Sequence, residues 1–233
     1  MEYLEDGKAM NNIIYEDNHI IVVYKKENIP VCLDDSKDED LLTIIKNYLK
    51  QKYNKQGNVY LGLVHRLDRP VSGIMVFAKT SKAASRLSDS IRKNEFHKNY
   101  LAIVHGKIKD SDTFIDYLEK KDNFNTIVTD KNHGKLSELS YDLVSYNEDK
   151  NISLVKVNLK TGRHHQIRVQ FSSRGYPLVG DNRYGIDKEK EIGLFAYKLS
   201  FPHPITKEII SFLYLPSNKP FNLFEIKKEL LKD

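Results

Sequence analysis

One cysteine, Cys32, stands in a chain of 233 residues. A single thiol excludes an intramolecular disulfide and leaves no cysteine cluster for zinc, so the chain reads as one kept in a reducing, intracellular setting. Cys32 is expected to behave as an ordinary small apolar residue. No uninterrupted apolar run could span a bilayer, and the acidic start Met1-Glu2-Tyr3-Leu4-Glu5-Asp6 lacks a signal-peptide core. The expectation is a soluble, cytoplasmic protein. Internal repeats, low-complexity tracts and Gly/Ser-rich linkers are also missing, so nothing marks a boundary inside the chain. A short extension over 1–12 followed by a single domain over 13–233 is expected. The charge excess is small, +5 at neutral pH, which permits a polyanionic partner without requiring one. His-x-x-x-His pairs on a helix are lacking too, so no metal site is expected.

What is present is organised around His65-Arg66-Leu67-Asp68-Arg69-Pro70-Val71-Ser72-Gly73. An imidazole, two guanidiniums and a carboxylate lie here between the apolar runs Tyr60-Leu61-Gly62-Leu63-Val64 and Gly73-Ile74-Met75-Val76-Phe77-Ala78. Both runs are short enough to be buried strands, so the polar segment is a loop on a rigid sheet, where catalytic groups tend to sit. Pro70 argues against a helix through it and puts Asp68 on a turn.

Elsewhere, Asp17-Asn18 separates two β-prone runs, which predicts a hairpin or a bent strand over 13–25. Ser36-Lys37-Asp38-Glu39 has capping-box spacing ahead of Leu41, Ile44, Ile45, Tyr48 and Leu49, which predicts a helix from about Lys37 to Tyr53. A second amphipathic helix begins near Ser81, and residues 114–158 read as an antiparallel meander. The segment Thr161-Gly162-Arg163-His164-His165-Gln166-Ile167-Arg168 reads as a loop entering a short helix that Gly175 ends. His165 and Arg168 share one side of it. A terminal helix to about Leu231, capped by Asn222, completes the prediction. Strands in long consecutive blocks favour an α+β architecture over a doubly wound one.

Six ordered segments resemble the pseudouridine synthases of the RluA-like branch. They are Ile14-Tyr15-Glu16-Asp17-Asn18; the stretch around Asp68 with Ala78-Lys79; Lys98-x-Tyr100-x-Ala102-x-Val104-x-Gly106; Gly162-Arg163-x-His165-Gln166-Ile167-Arg168; Gly180-Asp181-x-x-Tyr184-Gly185; and Leu199-Ser200-Phe201-Pro202-His203-Pro204. Taken singly, Asp68 reads as a turn residue, Arg168 as a solvated or ion-paired helix residue and Tyr100 as strand packing. The ordered combination is what points to chemistry.

The resemblance implies an α+β fold of the pseudouridine synthase kind: a mixed, mainly antiparallel sheet with flanking helices and a central RNA-binding cleft. It implies isomerisation of uridine within structured RNA, ribosomal or transfer, with no cofactor, no metal and no DNA partner, by a protein expected to be monomeric. Asp68 would be the nucleophile, attacking C1′ of the ribose or C6 of the ring. A carboxylate is ionised at neutral pH, and Arg168 is the expected guanidinium partner that keeps it so. Tyr100 would stack on the target base, and Arg66 would fill the gap left by the extruded base. Arg69, Arg163, Lys79 and Lys98 are expected phosphate contacts, with His65 and His165 beside them near the RNA and expected there as structural hydrogen-bonding histidines.

Departures from the pattern are few. Lys25-Lys26-Glu27-Asn28 replaces a Lys-Pro-x-Gly turn, and Asn28 can supply the left-handed geometry of the missing glycine. Val71 and Gln170 stand where many relatives have Thr and His. A catalytically silent RNA-binding protein on the same fold is the alternative reading, and a nuclease using His65 and Asp68 is a third.

Overall fold

The computed structural model describes residues 12–121, 125–187 and 191–231. The expected N-terminal extension therefore lies outside the described residues except for Asn12. Two compact units make up the described chain: residues up to Phe96 together with Leu199–Tyr214, and His97–Lys198 together with the C-terminal segment from Leu215.

In the first unit, β1 (Ile13–Glu16) and β2 (Ile20–Lys25) form the expected antiparallel hairpin. Its turn is closed by Asp17, whose Oδ1 accepts from the amides of His19 and Ile20 at 2.7 and 2.8 Å. β2 pairs antiparallel with β4 (Ser72–Ala78), from Ile20 opposite Ala78 to Lys25 opposite Gly73. Every residue of β4 is buried, as its unbroken apolar run demands. The run before the Asp68 loop yields only the two-residue β3 (Gly62–Leu63), paired to the end of β4. Helix α1 (Leu41–Lys52) is tied to β1 by the Tyr48 hydroxyl, which donates to Glu16 at 3.0 Å, and α2 (Ser81–Arg92) packs against β4. Ile20, Val22, Ile74, Val76, Ala83 and Leu87 share one apolar cluster with Phe96 and Phe201, whose rings stack at 5.0 Å.

The start of α1 differs from the capping-box expectation. Lys37 has φ 63°, a left-handed backbone that cannot be part of a first helical turn. Ser36 instead bonds within its own loop to Asp34. The cap is Asp40, whose Oδ1 accepts from the Thr43 amide at 3.1 Å.

The second unit holds β5 (His97–His105), β6 (Ser111–Lys120), β7 (Thr126–Thr129), β8 (Lys135–Asn147) and β9 (Ile152–Leu159), with helix α3 (Gln166–Ser172). Strands run in the order β5-β9-β8-β6-β7 and every neighbouring pair is antiparallel, which is the expected meander. α3 packs Phe171 against Phe114 and Tyr141, with ring centroids 5.1 and 5.4 Å apart. β10 (Leu194–Pro202) gives its residues 194–198 to the second unit and 199–202 to the first, where β11 (Ile209–Leu213) pairs with it.

The predicted terminal helix is not formed. Residues Phe221–Leu223 and Lys228–Leu231 make two separate 3-10 turns, with Phe224 extended between them. Phe221 is buried on Phe195, and anchoring it there replaces a short helix that would be marginal by itself. Among the described residues no helix is long and apolar enough to cross a membrane.

The two candidate caps of α1 give a direct test. Asp40→Ala should cost about 1 kcal/mol in urea unfolding, whereas Ser36→Ala should stay within about 0.5 kcal/mol of wild type. A second test concerns Glu16. Burial alone would raise its pKa, but donors from Lys52, Lys79, Tyr53 and Tyr48 pull it down to about 2. A carboxylate with a lowered folded-state pKa adds stability above about pH 4.5 and loses it as pH falls toward 2. The unfolding free energy of wild type relative to Glu16→Gln should therefore shrink across that window.

Candidate active site

The Asp68 loop is held from beneath by a lysine. Lys25 closes β2, and its side chain is 0% exposed. Its Nζ donates to the carbonyl oxygens of Lys26 at 3.1 Å, Arg69 at 2.9 Å and Val71 at 2.7 Å. Three N–H donors thus meet three carbonyl acceptors, two of them on either side of Pro70. Burial lowers the lysine's pKa to about 7, opposed by the negative charges of Asp68 and Glu27. Asn28, in the left-handed conformation at φ 62° that its sequence position suggested, also donates its amide to Arg69 O at 2.9 Å. The Val71 amide closes the turn on Asp68 O at 3.0 Å. Asp68 accordingly sits on a turn, half-buried, with its flanking backbone immobilised.

The other predicted groups of this unit divide into outward and inward. Arg66 is exposed and its guanidinium has no bonded partner among the described residues. Arg69 pairs with Asp34 at 3.3 Å and with Asp38. His65 is a structural hydrogen-bonding histidine, as expected: its Nε2 accepts from the Val76 amide at 3.1 Å, and its ring lies 5.3 Å from that of Phe96. β3 ends at Leu63, one pair earlier, so the imidazole supplies the next acceptor of the ladder. Lys79 is likewise committed to the protein, bonding Glu16, the Asp17 carbonyl and the Tyr53 hydroxyl. An ammonium with its three donors so engaged is a tether for the first hairpin rather than a phosphate contact.

In the second unit Tyr100 lies on β5, opposite Val157, and is buried. Arg168, on α3, is bound by Asp181 through two parallel contacts, Nε to Oδ2 at 2.8 Å and Nη2 to Oδ1 at 2.6 Å. Both side chains are out of solvent, at 5% and 0% exposure. Burial opposes ionisation of Asp181, but Arg168 and the amides of Arg183 and Tyr184 hold its pKa below the usual carboxylate value. The Arg168 guanidinium also lies over the Tyr184 ring, 5.2 Å from its centroid. An arginine fixed by a bidentate carboxylate presents a permanent, oriented positive charge.

His165 enters α3 at φ 51°, a strained angle for a non-glycine residue, and its Nδ1 is 2.8 Å from the Tyr184 hydroxyl. That hydroxyl also accepts from the Thr126 amide at 2.8 Å. Lys98 is half-buried on β5 and has no ion-pair partner among the described residues, and burial lowers its pKa. Arg163 is exposed, with Nε donating to Leu136 O at 3.0 Å. No group of three or more metal-ligating side chains occurs among the described residues.

Sequence reasoning assigned no role to Lys25, Asp181 or Tyr184. Lys25 could have been suspected as the one charge ending an otherwise apolar strand, and Asp181 and Tyr184 belong to the recognised Gly-Asp-x-x-Tyr-Gly string. Their tasks are visible only from the bonds they make.

A mainly antiparallel sheet with three helices, an aspartate on a clamped turn and a buried arginine pair define the class. Residues 19–173 match the RNA pseudouridylate synthase family, to which the chain belongs. Its catalytic domain is of the RluA-like kind. The chain is 32% identical over 213 residues to the "Uncharacterized RNA pseudouridine synthase YhcT" of Bacillus subtilis (strain 168), covering 85% of this chain and 66% of that protein. It is 35% identical over 179 residues to the "Ribosomal large subunit pseudouridine synthase C" of Rickettsia bellii (strain RML369-C), covering 76% of this chain and 57% of that one. This chain thus spans two thirds or less of the length of these relatives. Among solved structures, "Human RNA Pseudouridylate Synthase Domain Containing 1" superposes with TM-score 0.71 at 22% identity, over 92% of this chain and 87% of the human one. The fold is that of the pseudouridine synthases.

Lys25→Met should leave the buried carbonyl of Val71 without its donor and that of Arg69 with only the Asn28 amide, at about 1–3 kcal/mol for the unmet Val71 carbonyl. Amide exchange at Val71 should then quicken roughly 10- to 100-fold, while β8 and β9 exchange as in wild type. Equal exchange at Val71 in both proteins would show that the lysine does not hold the loop.

Proposed function

We propose that the protein is an RNA pseudouridine synthase that isomerises uridine in structured RNA, with Asp68 as its nucleophile. The observation that carries this reading is the clamped Asp68 turn: a carboxylate on backbone pinned from both sides by Lys25, in a chain that belongs to the family. Pinning matters because attack needs the oxygen within about 3–3.5 Å of the reacting carbon, a placement that a loose loop cannot keep.

The chemistry needs no net oxidation. Attack at C1′ forms a C1′–O bond to Asp68 as the bond to uracil N1 breaks. The freed uracil turns, C5 displaces the carboxylate at C1′, and a proton leaves C5 while N1 regains one. Attack at C6 would also use Asp68, by adding to the ring before the glycosidic bond breaks. Tyr100 and Arg168 are the further groups proposed to act on the same uridine. The Asp181 pair keeps Arg168 charged and oriented, which suits it to stabilising the negative charge that develops. Arg66, exposed beside the nucleophile, is proposed to occupy the place of the extruded base. The name of the Rickettsia relative supports ribosomal RNA as the substrate class.

The test is tritium release from ribosomal RNA carrying 5-tritiated uridine. Wild type should release label, and Asp68→Ala should release it at least about a thousandfold more slowly, the scale on which loss of a nucleophile is felt. Undiminished release from the variant would remove the nucleophile assignment, and cleaved RNA without pseudouridine would point to a nuclease.

A further inference from the structure

β5 ends in a histidine, His105, at one of the open places of the Lys98-to-Gly106 string. Its imidazole donates through Nε2 to Oδ2 of Asp187 at 2.5 Å, with 26% and 23% of the two side chains exposed. The other oxygen of that carboxylate, Oδ1, accepts from the Gly180 amide at 2.8 Å. Residues 180 and 187 are the two ends of the loop whose Asp181 grips Arg168. One carboxylate therefore closes the loop across its mouth and fastens it to β5.

Inside the loop the bonds converge on the arginine's seat. The amides of Arg183 and Tyr184 donate to Asp181 Oδ1 at 3.0 and 3.1 Å, and the Gly185 amide donates to the Asp181 carbonyl at 2.7 Å. The α3 side is tied down by Ser172, whose hydroxyl donates to Tyr184 O at 2.8 Å. On the β5 side, the amides of Val179 and His105 bond Ile103 O at 2.9 Å and Pro177 O at 3.0 Å, all before the loop begins. Gly180 has φ 70°, and a Cβ there would stand 2.1 Å from the Glu191 carbonyl oxygen, so only glycine fits at the loop's first residue. Beyond Gly180 the loop returns to β5 through the His105–Asp187 pair, and β5 is the strand that carries Tyr100. A charged group that stabilises a transition state works only in its place, and a displacement of about 1 Å can cost on the order of 100-fold in rate.

We propose that His105 and Asp187 are positioning residues for the isomerisation: they latch the loop over 180–187 to β5 and so fix the seat of Arg168 relative to the strand that bears Tyr100. Neither residue touches the uridine. Each acts through Asp181 and the guanidinium that Asp181 holds. The inference rests on the reading of Arg168 and Tyr100 given above and adds to it the part that keeps the two in register.

The experiment is single-turnover tritium release from 5-tritiated ribosomal RNA, read for each variant as a maximal rate and a half-saturating RNA concentration. Asp187→Ala should lower the maximal rate about 10-fold, with the half-saturating concentration within about twofold of wild type. Asp187→Asn, which keeps an oxygen for the Gly180 amide, should recover most of that rate. His105→Leu removes the anchor and leaves the Gly180 acceptor; it should show the same split, and it keeps the test open if Asp187→Ala does not fold. In an Arg168→Lys background, Asp187→Ala should cost less than about twofold more, because residues that act through one another are non-additive and the seat then holds no guanidinium to misplace. A wild-type maximal rate in Asp187→Ala and His105→Leu overturns the proposal. So does an equal fold-loss in the Arg168 and Arg168→Lys backgrounds, which is what general loosening of the unit produces. A failure of the underlying reading has its own signature: Arg168→Lys itself keeps the wild-type rate, or wild type releases no tritium, and the proposal falls with it.

Discussion

The buried ammonium of Lys25 is the constraint on which the Asp68 turn depends. Its three bonds reach the backbone just after β2 and the backbone on either side of Pro70, so the hairpin and the Asp68 turn are joined at one atom. A cation without solvent is costly unless every donor is met, and here each donor has a carbonyl. The arrangement works in both directions. The carbonyls make the buried charge tolerable, and the charge keeps the carbonyls, and with them the turn, in place.

The second unit solves a similar problem with a charge pair. Arg168 and Asp181 are both buried, and either alone would be destabilising. Asp181 is itself seated by the amides of Arg183 and Tyr184, so the loop that follows α3 is the mould for the arginine. The strained His165 backbone at the head of α3 and its contact with Tyr184 belong to the same mould. Strain at this point is held by surrounding bonds rather than by helix propensity.

Much of this was legible in order and type. The apolar run of β4, the Asp17-Asn18 hairpin, the antiparallel meander and the turn at Asp68 follow from local patterns of period and turn chemistry. Asn28 took the left-handed angle that its place in the motif required. The capping box at Ser36 was undone by the left-handed Lys37, and Asp40, which the sequence reading had not singled out, caps the helix instead. Lys79 carried a group suited to RNA, yet it was drawn inward by Glu16, distant in sequence.

By itself the sequence determined the family, the strand-rich architecture and the placing of Asp68 on a turn, because these depend on ordered motifs and on periodicity within short stretches. Tertiary structure alone decided which charges are spent inside the protein and which face outward. Lys25, Lys79, Arg163 and Lys98 are equivalent cations on paper, and only the positions of carbonyls and carboxylates in the folded chain distinguish a clamp such as Lys25 from an exposed side chain such as Arg163. Hydrogen bonding is directional and short-ranged, so its outcome is settled by the folded backbone rather than by residue type.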